Sequence, residues 1–350
     1  MKRHLAACAL LCCLCSVPVL AQSQQDARRT RVAARGNVLV IGNLTWKEID
    51  ALSRDSTLFL LAVGMLEEHG PHLPIASDQI GVEYEVEHVA TRLSRALPGW
   101  NVVLMPTVAY GSAGANHVGK MAVHPGTYGI RQSTLRSLIA DIGGQIAQNR
   151  FKWVFVMNGH SAPTHSIAVN EACDFISDIF DVTMLNVSGL FKADTLIQLQ
   201  GGRLAARHFS QADLASFGMD VHAGVGETSG LLAIRPDLVR SSYRSLPSYR
   251  AETLEEMRDI ALRPGWQGYF SSPARANAAY GREIETWWIR GMTDLILQAV
   301  RGENLFGRPR YPGDLQNEPA RVRIIDDILA PEREFESKFA RWLDRPGRNE

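Results

Sequence analysis

The sequence predicts an α/β fold with a mostly parallel central sheet and helices on both of its faces. Three observations carry that expectation. Apolar runs of strand length recur at residues 57–63, 101–105, 153–157 and 182–185. Helical patterns at 79–96, 130–148 and 166–179 separate them. Strand, helix, strand in repetition is the signature of parallel strands joined by crossover helices. Finally, a Gly-rich or polar loop follows each of the first three strands: "GMLEEHG", "PTVAYGSAGANH" and "NGHSAPTH". In such sheets ligands gather beyond the carboxyl ends of the strands.

Taken in order, the chain opens with "MKRHLAACALLCCLCSVPVLAQSQQ". Lys2 and Arg3 precede an apolar run, and Val19-Leu20-Ala21 supplies the small residues a signal peptidase reads. Residues 1–21 are therefore expected to be a signal peptide and 22–37 a polar linker, with the mature protein secreted or periplasmic. Residues 38–303 are expected to form one large domain. Within it, strand and helix alternate as far as residue 186. A helical segment is expected near 190–208, and "SSPARANAAYG" leads into a long helix at 274–300. A Pro-rich stretch and a charged amphipathic segment at 325–343 make residues 304–350 a C-terminal extension.

Four of the five cysteines (Cys8, Cys12, Cys13, Cys15) lie in the leader, so the mature chain keeps only Cys173. An intramolecular disulfide is excluded, and stability has to come from a large core. Basic and acidic residues balance at 37 each, and the leader takes Lys2 and Arg3 with it. Such a balance gives no electrostatic basis for nucleic-acid binding. No later apolar run reaches membrane length, so no membrane partner is expected after cleavage.

The loops carry the chemistry. Glu67 and His69 are two apart, so in extended backbone they point to one side, with Glu68 turned away from them. Asp78 stands at the expected start of a helix, where a carboxylate is also favoured as a cap. His160 leaves its strand beside Gly159, and Glu227 follows His222 by five positions across two glycines. Two imidazoles and three carboxylates at the ends of separate elements suit zinc, manganese or iron.

The same residues carry a family resemblance. "EEHGPHLPIASD" resembles the E-x-H-G-x-H-L-P-x-x-x-D signature of the creatininase (creatinine amidohydrolase) family. "NGH", "HAGVGETS", "HPGTYGI" after "GANH", and "SSPARANAAYGREI" resemble its later blocks, in order from about residue 38 to 300. The resemblance implies a three-layer α/β fold and a site with two divalent ions, zinc first, with manganese or iron as alternatives. It also implies a homo-oligomer such as a hexamer. Carried over by position, Glu67, Asp78 and His160 hold one ion, and His69, Asp78 and Glu227 hold the other. His222 is then the proton shuttle, with Glu227 beside it in the catalytic set, and His72, His117 and Ser161 line the substrate pocket. A zinc ion can lower the pKa of its water from about 15.7 to near 7, which supplies a hydroxide to attack an amide carbonyl.

"NGHSAP" has Ala162 and Pro163 where creatinine-hydrolysing members carry a further acidic residue. No tryptophan lies between Trp153 and Trp266, where those members use tryptophans near the substrate. The small-molecule substrate is thus expected to be another cyclic amide, a formamide or a small peptide amide. Two other readings stay open. "GHSAP" imitates a nucleophile elbow, which would make Ser161 the nucleophile of a serine hydrolase. A secreted, non-catalytic binding protein is the other.

Overall fold

A computed structural model of the chain describes residues 37–114, 124–313 and 319–344. The expected signal peptide and linker, up to residue 36, and His117 lie outside the described residues. Among those described, five parallel strands form one sheet: β1 (Val38–Val40), β2 (Thr57–Val63), β3 (Asn101–Leu104), β4 (Trp153–Asn158) and β5 (Thr183–Asn186). The four expected strands are present to within a residue at each end. β1 is an addition, a short edge strand paired with β3.

All seven residues of β2 are buried, because both faces of the sheet are covered. Leu58, Leu60 and Ala62 pack against α2 (Ser77–Ala96), α5 (Val187–Ala193) and α10 (Ala278–Val300). Phe59, Leu61 and Val63 alternate to the other face, against α3 (Gln132–Gln148) and α4 (Pro163–Ile179). Such strict alternation follows from the two-residue period of a strand. The result is the three-layer α/β arrangement, helix over sheet over helix. Each large apolar side chain fully buried contributes about 1.5–3 kcal/mol, so these two interfaces carry much of the fold's stability.

Sheet order β1-β3-β2-β4-β5 places β2 next to β4 at the centre. The chain leaves β2 through α2 toward β3 on one side, and leaves β4 through α4 toward β5 on the other. Departing loops therefore diverge between the carboxyl ends of β2 and β4, and a crevice opens there. "GMLEEHG" and "NGH" meet at that point.

The remaining elements are α1 (Trp46–Asp50), α6 (Thr195–Ala205), α7 (Gln211–Phe217), α8 (Val225–Ile234), α9 (Leu254–Ala261) and α11 (Pro319–Leu343). The single helix expected near 190–208 is two, α5 and α6, broken at Asp194, whose extended backbone ends α5. In the C-terminal extension, α11 folds back on the domain. Its Ile324 and Ile328 pack with Ala113, and Glu332 accepts a hydrogen bond from the Gln132 amide at 2.9 Å. No helix among the described residues is long and apolar enough to cross a membrane.

Candidate metal centre

Local backbone chemistry brings the acidic loop home. After β2, the Gly64 amide donates to the Val108 carbonyl and the Glu67 amide to the Ile75 carbonyl, which closes residues 64–76 into a loop over α2. Gly70 sits at φ +62°, a conformation that glycine adopts without steric cost. From β4, the Asn158 side chain accepts from the His160 amide at 3.0 Å and turns that residue inward. α8 starts where the Asp220 carboxylate accepts from the Val225 and Gly226 amides, both at 2.8 Å. That cap sets Glu227 in the first turn.

Three clusters of possible ligands result: Glu67, Asp78 and His160; His69, Asp78 and Glu227; Glu67, His69 and His222. His160 Nδ1 lies 3.1 Å from Glu67 Oε2 and 3.0 Å from Asp78 Oδ2. His69 Nε2 lies 3.3 Å from Asp78 Oδ1 and 3.5 Å from Glu227 Oε2. The two oxygens of Asp78 thus face two different imidazoles. Glu67, His69, Asp78, His160 and His222 are buried, while the Glu227 side chain is 40% exposed.

The outer nitrogens define the tautomers. His69 Nδ1 donates to the Glu67 carbonyl at 3.0 Å, and His160 Nε2 donates to the Ala113 carbonyl at 2.9 Å. In the neutral rings the protons are held there, so His69 Nε2 and His160 Nδ1 present lone pairs to the carboxylates. Metal-bound histidines are oriented by the same kind of outer hydrogen bond. His69 Nε2 and Asp78 Oδ2, both buried, make no hydrogen bond of good geometry. A lone pair facing carboxylate oxygens calls for a cation between them, and the donor set of imidazole and carboxylate fits a divalent one.

Protonation shows the same demand. Burial alone would depress the His160 ring, yet Glu67 and Asp78 carry it up to about 10. His69, equally buried, is raised well above its ordinary value by Asp78, Glu227 and Glu67. Burial opposes the Glu67 charge, but His222 and His160 hold its carboxyl down at about 2. Asp78 is held below the usual carboxylate range by His69 and His160, against its burial.

His222 stacks at a tilt on His69, with ring centroids 4.4 Å apart. Its Nδ1 is 3.6 Å from Glu67 Oε1 and its Nε2 is 3.7 Å from Glu68 Oε1. Glu68, expected to point away, is buried and faces His222 from the other side of the ring. Residues 64–68 are not extended strand, so the two-residue alternation fails there. Glu68 also accepts from the Gly70 amide at 3.1 Å. Glu227 Oε2 additionally accepts from the Ala223 amide at 2.6 Å, which ties α8 to the centre.

Of the expected pocket residues, His72 is fully buried beside the centre. Its Nε2 is bonded to Thr228 Oγ1 at 2.9 Å, and its ring meets Tyr269 edge-on. Burial and the neighbouring His69 charge push it down to about 4, so it is neutral at physiological pH. Ser161 is exposed, and its hydroxyl accepts from Lys192 Nζ at 2.5 Å. His88 and His208 lie away from the centre, bonded to the Tyr84 carbonyl and paired with Glu283.

The sequence reading missed two residues. His165, wholly buried on α4, packs edge-on against His160 and accepts from the Ser112 amide at 3.2 Å. Lys192, on α5, reaches Ser161 across the crevice. His165 ends the "NGHSAPTH" block but was given no role, Lys192 stood in no block, and the fold brings both to the centre.

Comparison with known proteins bears on this constellation. A family model described as "Creatininase: Creatinine amidohydrolase" matches residues 42–296. The chain is 28% identical over 278 residues to a creatinine amidohydrolase of Pseudomonas putida, covering 73% of this chain and 95% of that protein. It is 30% identical over 256 residues to a mycofactocin precursor peptide peptidase of Mycobacterium ulcerans, covering 71% and 87%. A solved structure titled "Creatininase Mn" superposes with a TM-score of 0.55 at 26% identity, covering 75% of this chain and 99% of that one.

Proposed function

The chain belongs to the creatininase family of hydrolases, and on that premise we propose a two-metal amidohydrolase that cleaves a small peptide amide. The carrying observation is the pair of donor sets that share Asp78, each with a histidine whose outer nitrogen donates to a main-chain carbonyl. Glu67, Asp78 and His160 would hold one divalent ion, and His69, Asp78 and Glu227 the other. Bound there, the ions would supply Lewis acidity toward an amide carbonyl and acidify water at neutral pH.

The protein's own residues then divide the remaining work. Asp78 fixes the spacing of the two donor sets. Glu67 and Glu68 hold the His222 ring between them, where it can carry a proton to the leaving nitrogen. Burial disfavours charge on His222, but Glu67 and Glu68 raise its affinity for the proton. The buried wall of Glu67, His69 and His160 keeps bulk water off all but the Glu227 side.

A peptide amide is preferred over creatinine for two reasons. One relative above is a peptide peptidase, and Ala162 and Pro163 follow Ser161 here without adding a carboxylate. We also take the mature protein to be secreted or periplasmic, on the strength of the leader-like residues 1–21, and to be a homo-oligomer. Zinc or manganese suits the donor set, and one similar solved structure is titled with manganese.

The serine-hydrolase alternative finds little support. Ser161 Oγ already accepts from Lys192, and both His160 nitrogens face other partners. The test is metal analysis of purified protein, then activity on small peptide amides after chelation. About two divalent ions per chain, activity lost to chelator and restored by metal is the expected result. Inactivation by a serine-directed phosphonate on Ser161, in protein without metal, would sink the proposal.

A further inference from the structure

The centre is closed on most sides. Glu67, His69, Asp78, His160 and His222 are buried, whereas Glu227 is part exposed and Ser161, directly after His160, is exposed. Substrate therefore meets the centre along the Ser161–Glu227 edge. Lys192 stands at that edge. Its stem leaves α5 half-buried, its ammonium lies 5.7 Å above the Trp288 ring, and its Nζ donates to Ser161 Oγ at 2.5 Å. Aromatic ring and hydroxyl together fix a side chain that is otherwise among the most mobile.

The charges around Lys192 come from Glu85, Asp78 and Glu227. Two acids sit behind it, Glu85 on α2 and Glu285 on α10. Burial raises both, Glu285 to about 7.

We propose that Lys192, held by Ser161, is the subsite for a carboxylate on the substrate, so that the bond cleaved joins an acyl group to an amino acid bearing a free carboxylate. The inference rests on the amidohydrolase reading of the centre and names its substrate class. In such a substrate one carbon separates the leaving nitrogen from the carboxylate. With the scissile carbonyl at the centre, the carboxylate falls about one residue's length from His160, where Ser161 stands; consecutive Cα atoms are about 3.8 Å apart. An ammonium and a hydroxyl at that distance offer charge-assisted donors. If Lys192 served only to balance the buried acids, its loss would cost stability and affect every substrate alike.

The test compares a blocked dipeptide with a free carboxyl terminus and its carboxamide, on metal-loaded protein. Wild type should favour the free acid in kcat/KM by about 10- to 100-fold, the worth of a hydrogen bond to a charged group. Lys192→Met should bring that ratio close to one, chiefly through KM, and Lys192→Arg should keep part of it. Because both substrates are read on the same sample, the ratio is independent of the folded fraction. Calorimetry on metal-stripped protein with N-acetylglycine against N-acetylglycinamide reads the subsite without turnover, and only the acid should bind in a Lys192-dependent way. No preference in wild type, or a preference kept by Lys192→Met, overturns the inference. If neither peptide is cleaved while the acid still binds through Lys192, the amidohydrolase reading falls and the carboxylate subsite stands.

Discussion

Gly159 lies so close to Asp78 that a Cβ at position 159 would stand 2.6 Å from the Asp78 main-chain oxygen and 3.0 Å from Val82 Cβ. The contact is between backbone and backbone, so no side-chain rotation relieves it. It is also the contact that brings the end of β4 against the first turn of α2, and hence His160 against Asp78. Gly159→Ala should therefore spread the centre as well as strain the core. We expect a loss of stability of about 1–3 kcal/mol, typical of overpacking, together with weakened metal binding. Thermal melts of chelated protein and metal titration of the same variant check both. Wild-type metal affinity in a destabilised Gly159→Ala would mean that the close approach serves packing alone.

Asp78 and Glu227 should separate in metal content. Asp78 offers one oxygen to each donor set, whereas Glu227 belongs to one set and is part exposed. Asp78→Ala is expected to lose both ions, and Glu227→Ala to keep about one. Elemental analysis after dialysis against trace metal reads this directly. Two ions retained by Asp78→Ala would leave that residue only its place in the first turn of α2.

Much of the fold was legible because strands buried on both faces read as unbroken apolar runs, as 57–63 and 153–157 do. β1 was not, since three residues at an edge leave too short a pattern. α8 was not either: Val225–Ile234 is packed against both α2 and α10, so it has no polar face to give a helical period. In the site, Glu67, His69 and His160 stood out as polar residues just after strands and Asp78 as a carboxylate at a helix start, whereas His222 and Glu227, away from any strand, took their roles from the family resemblance. Glu68 was misplaced for a physical reason. Its orientation was taken from strand alternation, but the strand ends at Val63, and Glu68 instead accepts from the Gly70 amide and faces His222. His165 and Lys192 lie inside helices, where a lone polar residue carries no signal until the crevice is seen.

His222 touches Glu67 and Glu68 through different ring nitrogens, and it also belongs to a third possible ligand cluster. The proton-carrying role predicts that His222→Ala keeps its metal while turnover falls by roughly 10²- to 10⁴-fold, the usual worth of a positioned acid–base group. A residue that only packs under the loop would instead lower the melting temperature and leave turnover per folded molecule unchanged. Loss of one ion would make His222 a ligand. Metal content, melting and initial rates on one preparation distinguish the three.

The metal-free protein should show its centre in the pH dependence of its stability. In the absence of ions, burial is overcome by Glu67 and Asp78, which carry the His160 ring up to about 10. An unfolded histidine titrates near about 6.5. With the folded value above the unfolded one, protonation of His160 stabilises the fold. That contribution is fully present below about pH 6.5 and is lost as pH rises through 10. The Glu67 carboxyl, held at about 2, acts at the other end: its contribution is present above its unfolded value and is lost as pH falls through 2. Stripped protein should thus melt progressively lower between pH 6.5 and pH 10. Cations in the centre take the place of these protons, so metal affinity should strengthen over the same interval. Metal-loaded protein should then show a flatter melting profile there than stripped protein. Calorimetric scans of stripped and reloaded samples across that range make the comparison. Parallel profiles for the two samples would mean that proton and metal do not compete at His160, and would remove it from the ligand set.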